Sequence, residues 1–378
     1  MTDLERVLPL WRQLQAAGAD YVLATIVAVE GPSYRKPGTR MLIAQDGRRA
    51  GTVSGGCLEA EVARRAWWLT ASGPVVERYS TVADDGEMPY GSGCGGVVYI
   101  LLERSATARP HLQSLEAGFQ ARTALAVATV LSGPQIGQRA FAGLPGTQEV
   151  TRSEELEAEL HTRARRALEF RTSFEETIPL HGVATRIWAD YRPARPGLWI
   201  FGAGDDARPL LRFAREMGWF IALSDGRSHL ATRERFPEAD VIHVLPIDQL
   251  PAAAPSHFQP LATDAAILMS HSYEQDLRVL ASMLALDFQL AYIGVLGPQR
   301  RTCDLLADAA RLLGQPDSPE SVERWLAQLH APTGLDLGAE APASVALSIL
   351  AEIQQVLTAA TARPLHQVRA VRPAAAVK

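Results

Sequence analysis

Two cysteines stand where chemistry is easier to explain than packing. Cys57 follows Ser54-Gly55-Gly56 and opens a helical pattern, and Cys94 lies within Gly91-Ser92-Gly93-Cys94-Gly95-Gly96. A thiol at a helix N-terminus has its thiolate stabilised by aligned peptide dipoles, and one walled by glycines is open to close approach by a ligand. Zinc is the natural competitor for such thiols. However, 36 residues separate the pair, no CxxC is present and no His occurs before His111, so a tetrahedral ligand set is missing. A Cys-His nucleophilic pair would need a distant partner such as His271. The plain alternative is that both cysteines fill small sites in tight turns. Cys303, on a later helical stretch, is expected to be a small buried hydrophobe.

A second set of residues marks a nucleotide-type turn. Leu198-Trp199-Ile200-Phe201 runs into Gly202-Ala203-Gly204-Asp205-Asp206-Ala207, a G-x-G-x-x-A between a strand and a helix, and Asp225 ends the next strand 23 residues after Gly202. Bare glycines at 202 and 204 would let the backbone turn and approach a pyrophosphate at the helix N-terminus. Asp205 and Asp206 place two carboxylates where that dianion would sit, which disfavours NAD(P). Asp206 doubles as a plausible N-cap. Two further strand ends should meet the same crevice: Ser270-His271-Ser272, and Gly294 to Gly297 with Arg300 and Arg301 opening a helix. An arginine there suits an anion, and His271 suits either an acid-base role or a loop hydrogen bond.

These residues must be positioned by a chain of 378 residues, long enough for two or three domains. Hydrophobic residues make up 47% and charged residues 21%, which excludes disorder, collagen and coiled coil as whole-chain descriptions. The balance of 37 basic against 42 acidic residues supplies no broad field for nucleic acid. No apolar run approaches the roughly 18 residues of a membrane span, and the first residues are acidic where a signal peptide is basic. A cytoplasmic protein with three thiols and no disulfide framework is expected. Residues 31 to 96 hold 12 of the 29 glycines, so tight backbone geometry is concentrated there.

The patterns predict a helix over 1–18, strands at 21–29, 41–44 and 50–53 around the hairpin turn Asp46-Gly47, a helix over 58–70, and strands at 75–79 and 97–102. Between 105 and 195 the signal weakens to one strand at 124–131 and one helix at 153–168. Breakers from Tyr191 to Gly197 mark a boundary. Beyond it strands at 198–201, 220–224, 265–270 and 292–295 alternate with helices at 207–217, 274–284 and 301–313, which predicts a parallel sheet covered on both faces. A last helix over 342–357 begins with Pro342, and the Ala, Pro and Arg-rich end should be a frayed tail.

As a set, three runs resemble the N-terminal domain of the XdhC/CoxI family of xanthine dehydrogenase accessory factors: Gly31-Pro32-Ser33-Tyr34-Arg35-Lys36-Pro37-Gly38-Thr39-Arg40-Met41, Ser54-Gly55-Gly56-Cys57-Leu58-Glu59, and Gly93-Cys94-Gly95-Gly96. Phe201-Gly202-Ala203-Gly204, Tyr292 to Gly297 and Thr333-Gly334-Leu335-Asp336-Leu337-Gly338-Ala339-Glu340 look like that family's Rossmann domain and closing segment. The resemblance implies binding and protection of the molybdenum cofactor (molybdopterin) and its insertion into apo-xanthine dehydrogenase or a related molybdenum hydroxylase. On that footing Arg35, Lys36, Arg40 and backbone N–H groups would hold the pterin phosphate, Gly55, Gly56, Gly93 and Gly95 would also contact the cofactor, and Cys57 and Cys94 would meet molybdenum or its sulfido ligand. Gly202, Gly204, Asp225, His271 and Arg300 would form a second binding surface. The chain departs from the family pattern at Asp205, where the family usually has His, and at Ser272, where it usually has an acidic residue.

The expected architecture is therefore α/β: a glycine-rich α+β domain over 1–190, a Rossmann-like parallel-sheet domain over 197–330, a closing segment and helix over 331–358, and a tail over 359–378. The expected role is that of a maturation chaperone rather than a turnover enzyme. Expected partners are the client hydroxylase, a cysteine desulfurase and further copies of the chain. The alternatives are an NAD(P)-dependent oxidoreductase, with Gly202, Gly204 and Asp225 on the cofactor and His271 as acid or base, and a sulfur transferase carrying persulfide on Cys57 or Cys94.

Overall fold

A computed structural model describes residues 3–56, 58–80, 96–144, 153–180, 182–245, 259–286, 288–316 and 318–368. The chain divides into two compact units, Met1–Arg195 and Pro196–Lys378.

The first unit opens with α1 (Asp3–Ala16), whose stripe Val7, Leu8, Trp11 and Leu14 is buried. Five strands follow around α2 (Glu59–Leu69): β1 (Tyr21–Glu30), β2 (Arg40–Ala44), β3 (Arg49–Gly51), β4 (Val75–Ser80) and β5 (Val97–Arg104). They form one antiparallel sheet in the order β3-β2-β1-β5-β4. Because side chains alternate across a strand, β1 serves two cores. Tyr21 and Leu23 pack with α1, while Val22, Ala24 and Ile26 pack with Val62 and Ala66 of α2. The Asp46-Gly47 turn joins β2 to β3, with Gly47 at φ 88°.

The stretch after β5 holds more structure than its sequence signal. It forms α3 (Ser105–Ala121), β6 (Leu125–Val130), β7 (Arg139–Ala142), α4 (Glu154–Phe170), β8 (Phe174–Leu180) and β9 (Val183–Arg192). The second sheet is antiparallel in the order β7-β6-β9-β8. The helix α3 was hidden by Pro110 inside it and by Gly118, where a side chain would strike Leu125. In β8 the adjacent Glu175 and Glu176, the first exposed and the second half-buried, break the apolar alternation and mask a short strand. Tyr191 and Arg192, read as linker, finish β9 instead.

The second unit contains β10 (Gly197–Phe201), α5 (Ala207–Glu216), β11 (Phe220–Asp225), β12 (Val241–Val244), β13 (Ala265–Leu268), α6 (Tyr273–Leu284), β14 (Tyr292–Val295), α7 (Gln299–Leu312), α8 (Pro319–Leu326), α9 (Pro342–Thr358) and the exposed α10 (Leu365–Val368). Its sheet is parallel in the order β12-β11-β10-β13-β14. The strand order reverses beside β10, so a crevice opens between β10 and β13. Leu198 and Ile200 face α5 and α9, whereas Trp199 and Phe201 face α6 and α7. The edge strand β12 escaped sequence detection because its four residues are at most half-buried. Helix α9 belongs to this core through Ala346, Ile349, Leu350 and Ile353. Its Glu352 accepts hydrogen bonds from the Tyr292 hydroxyl at 2.6 Å and the Gly334 N–H at 2.6 Å, which ties the closing segment to β14. Burial and the Glu352 carboxylate push the Tyr292 phenol well above its ordinary pKa. No helix among the described residues is long and apolar enough to cross a membrane.

Candidate functional site: a basic loop on a glycine turn

In the first unit the loop between β1 and β2 carries Tyr34, Arg35 and Lys36 at its exposed tip, with Tyr34 75% accessible. The tip lies against the turn that leads into α2. The Arg35 guanidinium donates to the Ser54 carbonyl at 3.4 Å, and the Tyr34 ring lies 3.7 Å from where a Cβ on Gly55 would be. Gly56, at φ 119°, takes the left-handed conformation that glycine adopts without strain.

Glu59, in the first turn of α2, locks this turn. Its carboxylate accepts from the Ser54 N–H at 2.8 Å, the Ser54 hydroxyl at 2.6 Å, the Val53 N–H at 3.2 Å and the Thr52 hydroxyl. The Ser54 hydroxyl in turn accepts from the N–H groups of Gly56 at 3.1 Å and Leu58 at 3.0 Å, on either side of position 57. Burial alone would raise the Glu59 carboxyl, but the Ser54 and Thr52 hydroxyls and the Ser54 N–H bring it down to about 2. The result is a fixed negative charge that holds the turn rather than a proton donor. The sequence pattern alone gives Glu59 no role, because its partners are backbone N–H groups and hydroxyls that only the folded turn brings to it.

Arg40 is corrected. It was expected to meet a phosphate, yet it is 2% exposed and bonded within the protein. Its guanidinium donates to the Gly38 carbonyl at 2.6 Å and to Asp190 at 2.9 Å. Arg192 donates to the same two groups, at 2.5 and 2.8 Å. Both arginines therefore clamp the stem of the basic loop to β9. Beside them, burial and then the charges of Arg139, Arg40 and Arg192 hold His111 well below its usual pKa, so its ring is neutral and Nε2 can accept from Arg40. Asp190 is another residue that sequence reasoning missed, because it lies 150 positions from Arg40.

Cys57, Gly93, Cys94 and Gly95 lie outside the described residues, so their mutual distance does not enter the geometry. Among the described residues no group of three His, Cys, Asp or Glu side chains could hold a metal ion. Cys303, expected as a buried hydrophobe, is half-buried and free on α7.

In the second unit the fold brings Gly202, Gly204, Asp225 and His271 to one crevice. Gly202 sits at φ 131°, and a Cβ there would lie 2.4 Å from the Met269 carbonyl oxygen. Close approach of two strand ends thus already requires this glycine, without a pyrophosphate. Asp225 is corrected as a cofactor contact. It is 0% exposed, and both oxygens are engaged: one accepts the Ala203 N–H at 2.7 Å and Arg227 at 2.8 Å, the other the Arg227 N–H at 2.8 Å and its Nε at 2.9 Å. Burial would raise this carboxyl, but Arg227 and the Ala203 N–H carry it below its ordinary value. Arg227 also reaches the Ser270 carbonyl at 3.3 Å, bridging the ends of β11 and β13.

His271 adopts φ 59°, a left-handed conformation uncommon outside glycine. The turn is held by Ser270, whose hydroxyl accepts the Ser272 N–H at 3.1 Å and donates to buried Asp276 at 2.6 Å, and by Arg301, which pairs with Asp276 at 2.8 Å. The His271 ring lies beside Gly204, with Nε2 3.5 Å from Asp206. Asp206 occupies the N-cap position of α5 but its side chain caps nothing, which corrects that expectation. Asp205 pairs with Arg235 at 2.9 Å. Arg300 is exposed in the first turn of α7. Its neighbour Arg301 makes the structural contact, an assignment the tandem pair could not reveal.

Two family models match the chain: "XdhC and CoxI family" over residues 14–80 and "XdhC Rossmann domain" over 198–353. A Bacillus subtilis protein named as a probable subunit of xanthine dehydrogenase is 29% identical over 337 residues, which is 88% of this chain and 92% of that one. The molybdenum cofactor insertion chaperone PaoD of Escherichia coli is 34% identical over 108 residues, 26% of this chain and 31% of its own. A crystal structure described as a xanthine dehydrogenase from Bacillus halodurans superposes with a TM-score of 0.71 at 27% identity, covering 98% of this chain and 100% of that chain.

Proposed function

Because the chain belongs to the XdhC and CoxI family, we propose that it is an accessory factor that binds the molybdenum cofactor and hands it to a xanthine dehydrogenase-type molybdenum hydroxylase. The observation that carries this reading is the exposed Tyr34-Arg35-Lys36 tip laid against the Ser54-Gly55-Gly56 turn that Glu59 locks in place. Two cations at a glycine-lined turn suit a terminal phosphate. The soft thiolates of Cys57 and Cys94 would serve the molybdenum end, and the cofactor itself supplies the metal and its sulfido group. Arg40 stays out of the contact and holds the loop stem. The names of the relatives, one a cofactor insertion chaperone and the other a component of xanthine dehydrogenase, support the same client class.

Transfer then needs no covalent chemistry from the described residues: they would bind, orient and shield the cargo. A cytoplasmic setting keeps the thiols reduced, and a cysteine desulfurase is the expected sulfur donor. The rival dehydrogenase reading is weakened by Asp225, whose oxygens face Ala203 and Arg227 where a ribose would need them. Anaerobic titration with molybdenum cofactor and, separately, with NAD(H) tests the choice. Saturable cofactor binding, followed by activation of an apo-hydroxylase, is expected. Saturable NAD(H) binding without cofactor binding would overturn it.

A further inference from the structure

The end of the chain is charged unlike the unit that carries it. Residues 196–358 hold 11 basic and 20 acidic residues, whereas residues 359–378 hold Arg363, Arg369, Arg372 and Lys378 and no acid. Residues 1–195 balance 22 basic against 22 acidic. Opposite charges are thus separated within the second unit alone. The chain leaves the body of that unit by a defined turn. Ala359 caps α9 at φ 51°, and the N–H groups of Ala359 and Ala360 donate to the Val356 and Gln355 carbonyls at 3.2 and 3.0 Å. Pro364 then opens the single turn of α10, its carbonyl accepting the Gln367 N–H at 2.9 Å. From Thr358 to Val368 every residue is exposed. Leu365 and Val368 stand three positions apart, on one face of that turn, and are 64% and 49% accessible.

We propose that this basic arm docks on the second unit of another copy of the chain, so that two copies exchange arms about a twofold axis. The excess of acid on residues 196–358 is the complement the arm requires, and it also repels nucleic acid and anionic lipid, the other surfaces a basic arm would suit. The same unit offers a seat, an open cavity of about 470 Å³ lined by Leu284, Ala285, Leu313, Gln315, Arg324 and Trp325. Two of its walls are the carboxyl-terminal turns of α6 and α7, where helix carbonyls carry partial negative charge. On α8 the exposed Glu320 lies one turn before Arg324, and the exposed Glu323 precedes it. Leu365 and Val368 enter this cavity as the i and i+3 anchors of a helical turn in a groove, and Arg363 meets its acidic rim. Each copy carries one arm and one seat, so reciprocal exchange closes at two copies instead of growing a filament. The pairing stands independently of the accessory-factor reading.

Light scattering on the full chain over a dilution series tests this. The mass should rise from one copy to two and no further, and added salt should weaken the pairing because the arm's charges are exposed and screened. Ending the chain after Thr358 should hold it at one copy. Leu365→Asp combined with Val368→Asp, in the full-length chain, should raise the dissociation constant at least tenfold. Both changes should leave the melting temperature of dilute protein as it was, since no described residue of the arm is buried. A full chain that stays single at tens of micromolar, or a shortened chain that pairs as the parent does, would overturn the proposal. A single-copy parent whose activation of an apo-hydroxylase needs the arm would assign the arm to the client instead, and would overturn it equally.

Discussion

Replacing Arg40 by Met separates a structural clamp from a ligand contact. Arg40 and Asp190 are 2% and 3% exposed as side chains, and their 2.9 Å pair is joined by the 2.6 Å bond to the Gly38 carbonyl. Removing one partner of a buried pair costs about 3–5 kcal/mol when the other is left alone. Here Arg192 still reaches both Asp190 and Gly38, so neither acceptor is orphaned, and a loss of about 2–3 kcal/mol is expected. For a unit of this size each kcal/mol moves the melting temperature by about 2–4 °C, which gives a fall of about 4–12 °C. Calorimetric melting, paired with cofactor titration at two ionic strengths, reads both consequences. The Met variant should melt early yet keep the parent's salt dependence of binding. An unchanged melt, together with weaker binding and a shallower salt slope, would mean that Arg40 touches the phosphate after all.

Arg35→Ala and Lys36→Ala should do the opposite: they should leave the melting temperature within about 1–2 °C, as exposed substitutions usually do, and weaken cofactor binding most at low salt, where exposed charges are least screened. Titration across a salt series checks this. Glu59 should make the protein acid-sensitive. Its carboxyl is lowered from 4.5 to about 2, so its contribution is complete above about pH 4.5 and is lost as pH falls toward 2. Allowing for its partial exposure, that contribution is about 1–2 kcal/mol, and Glu59→Gln should abolish it; melts at pH 7 and pH 3 give the comparison, and a variant with the parent's acid response would discard the anchor. Asp225→Ala should lose about 1–3 kcal/mol by orphaning the Ala203 N–H and should gain no affinity for NADH, measured by fluorescence titration.

The sequence carried the second unit well because a parallel sheet buried on both faces needs continuous apolar strands. Trp199 with Phe201, and Leu198 with Ile200, announce that burial. It carried α1 and β1 through β5 for a related reason, since Val7, Leu8, Trp11 and Leu14 keep helical spacing. Between Ser105 and Arg195 it reached β6 and α4 but missed α3, which Pro110 and Gly118 interrupt, and β8, where the adjacent Glu175 and Glu176 break the apolar alternation. At the site, residue type was legible but partnership was not. Arg35 and Arg40 stand five positions apart and carry the same charge, yet Asp190 draws the second into the interior from far along the chain. Asp225 stood at the expected spacing, and only Arg227 and the Ala203 N–H reveal that it faces inward. Gly202 was read correctly as a position without room for a side chain, but the neighbour it accommodates is the Met269 backbone.

The central claim is that the first unit holds molybdenum cofactor through its cysteines and basic loop. Anaerobic titration of the cofactor into the parent protein, Cys57→Ala and Cys94→Ala, followed by mixing each with an apo-hydroxylase, tests it most directly. Saturable binding and client activation are predicted for the parent. Both variants should lose at least tenfold in retention while keeping the parent's melting temperature and salt dependence, because a thiolate-metal contact is screened far less than an exposed charge. Two cysteine variants that bind the cofactor and activate the client as the parent does would contradict it.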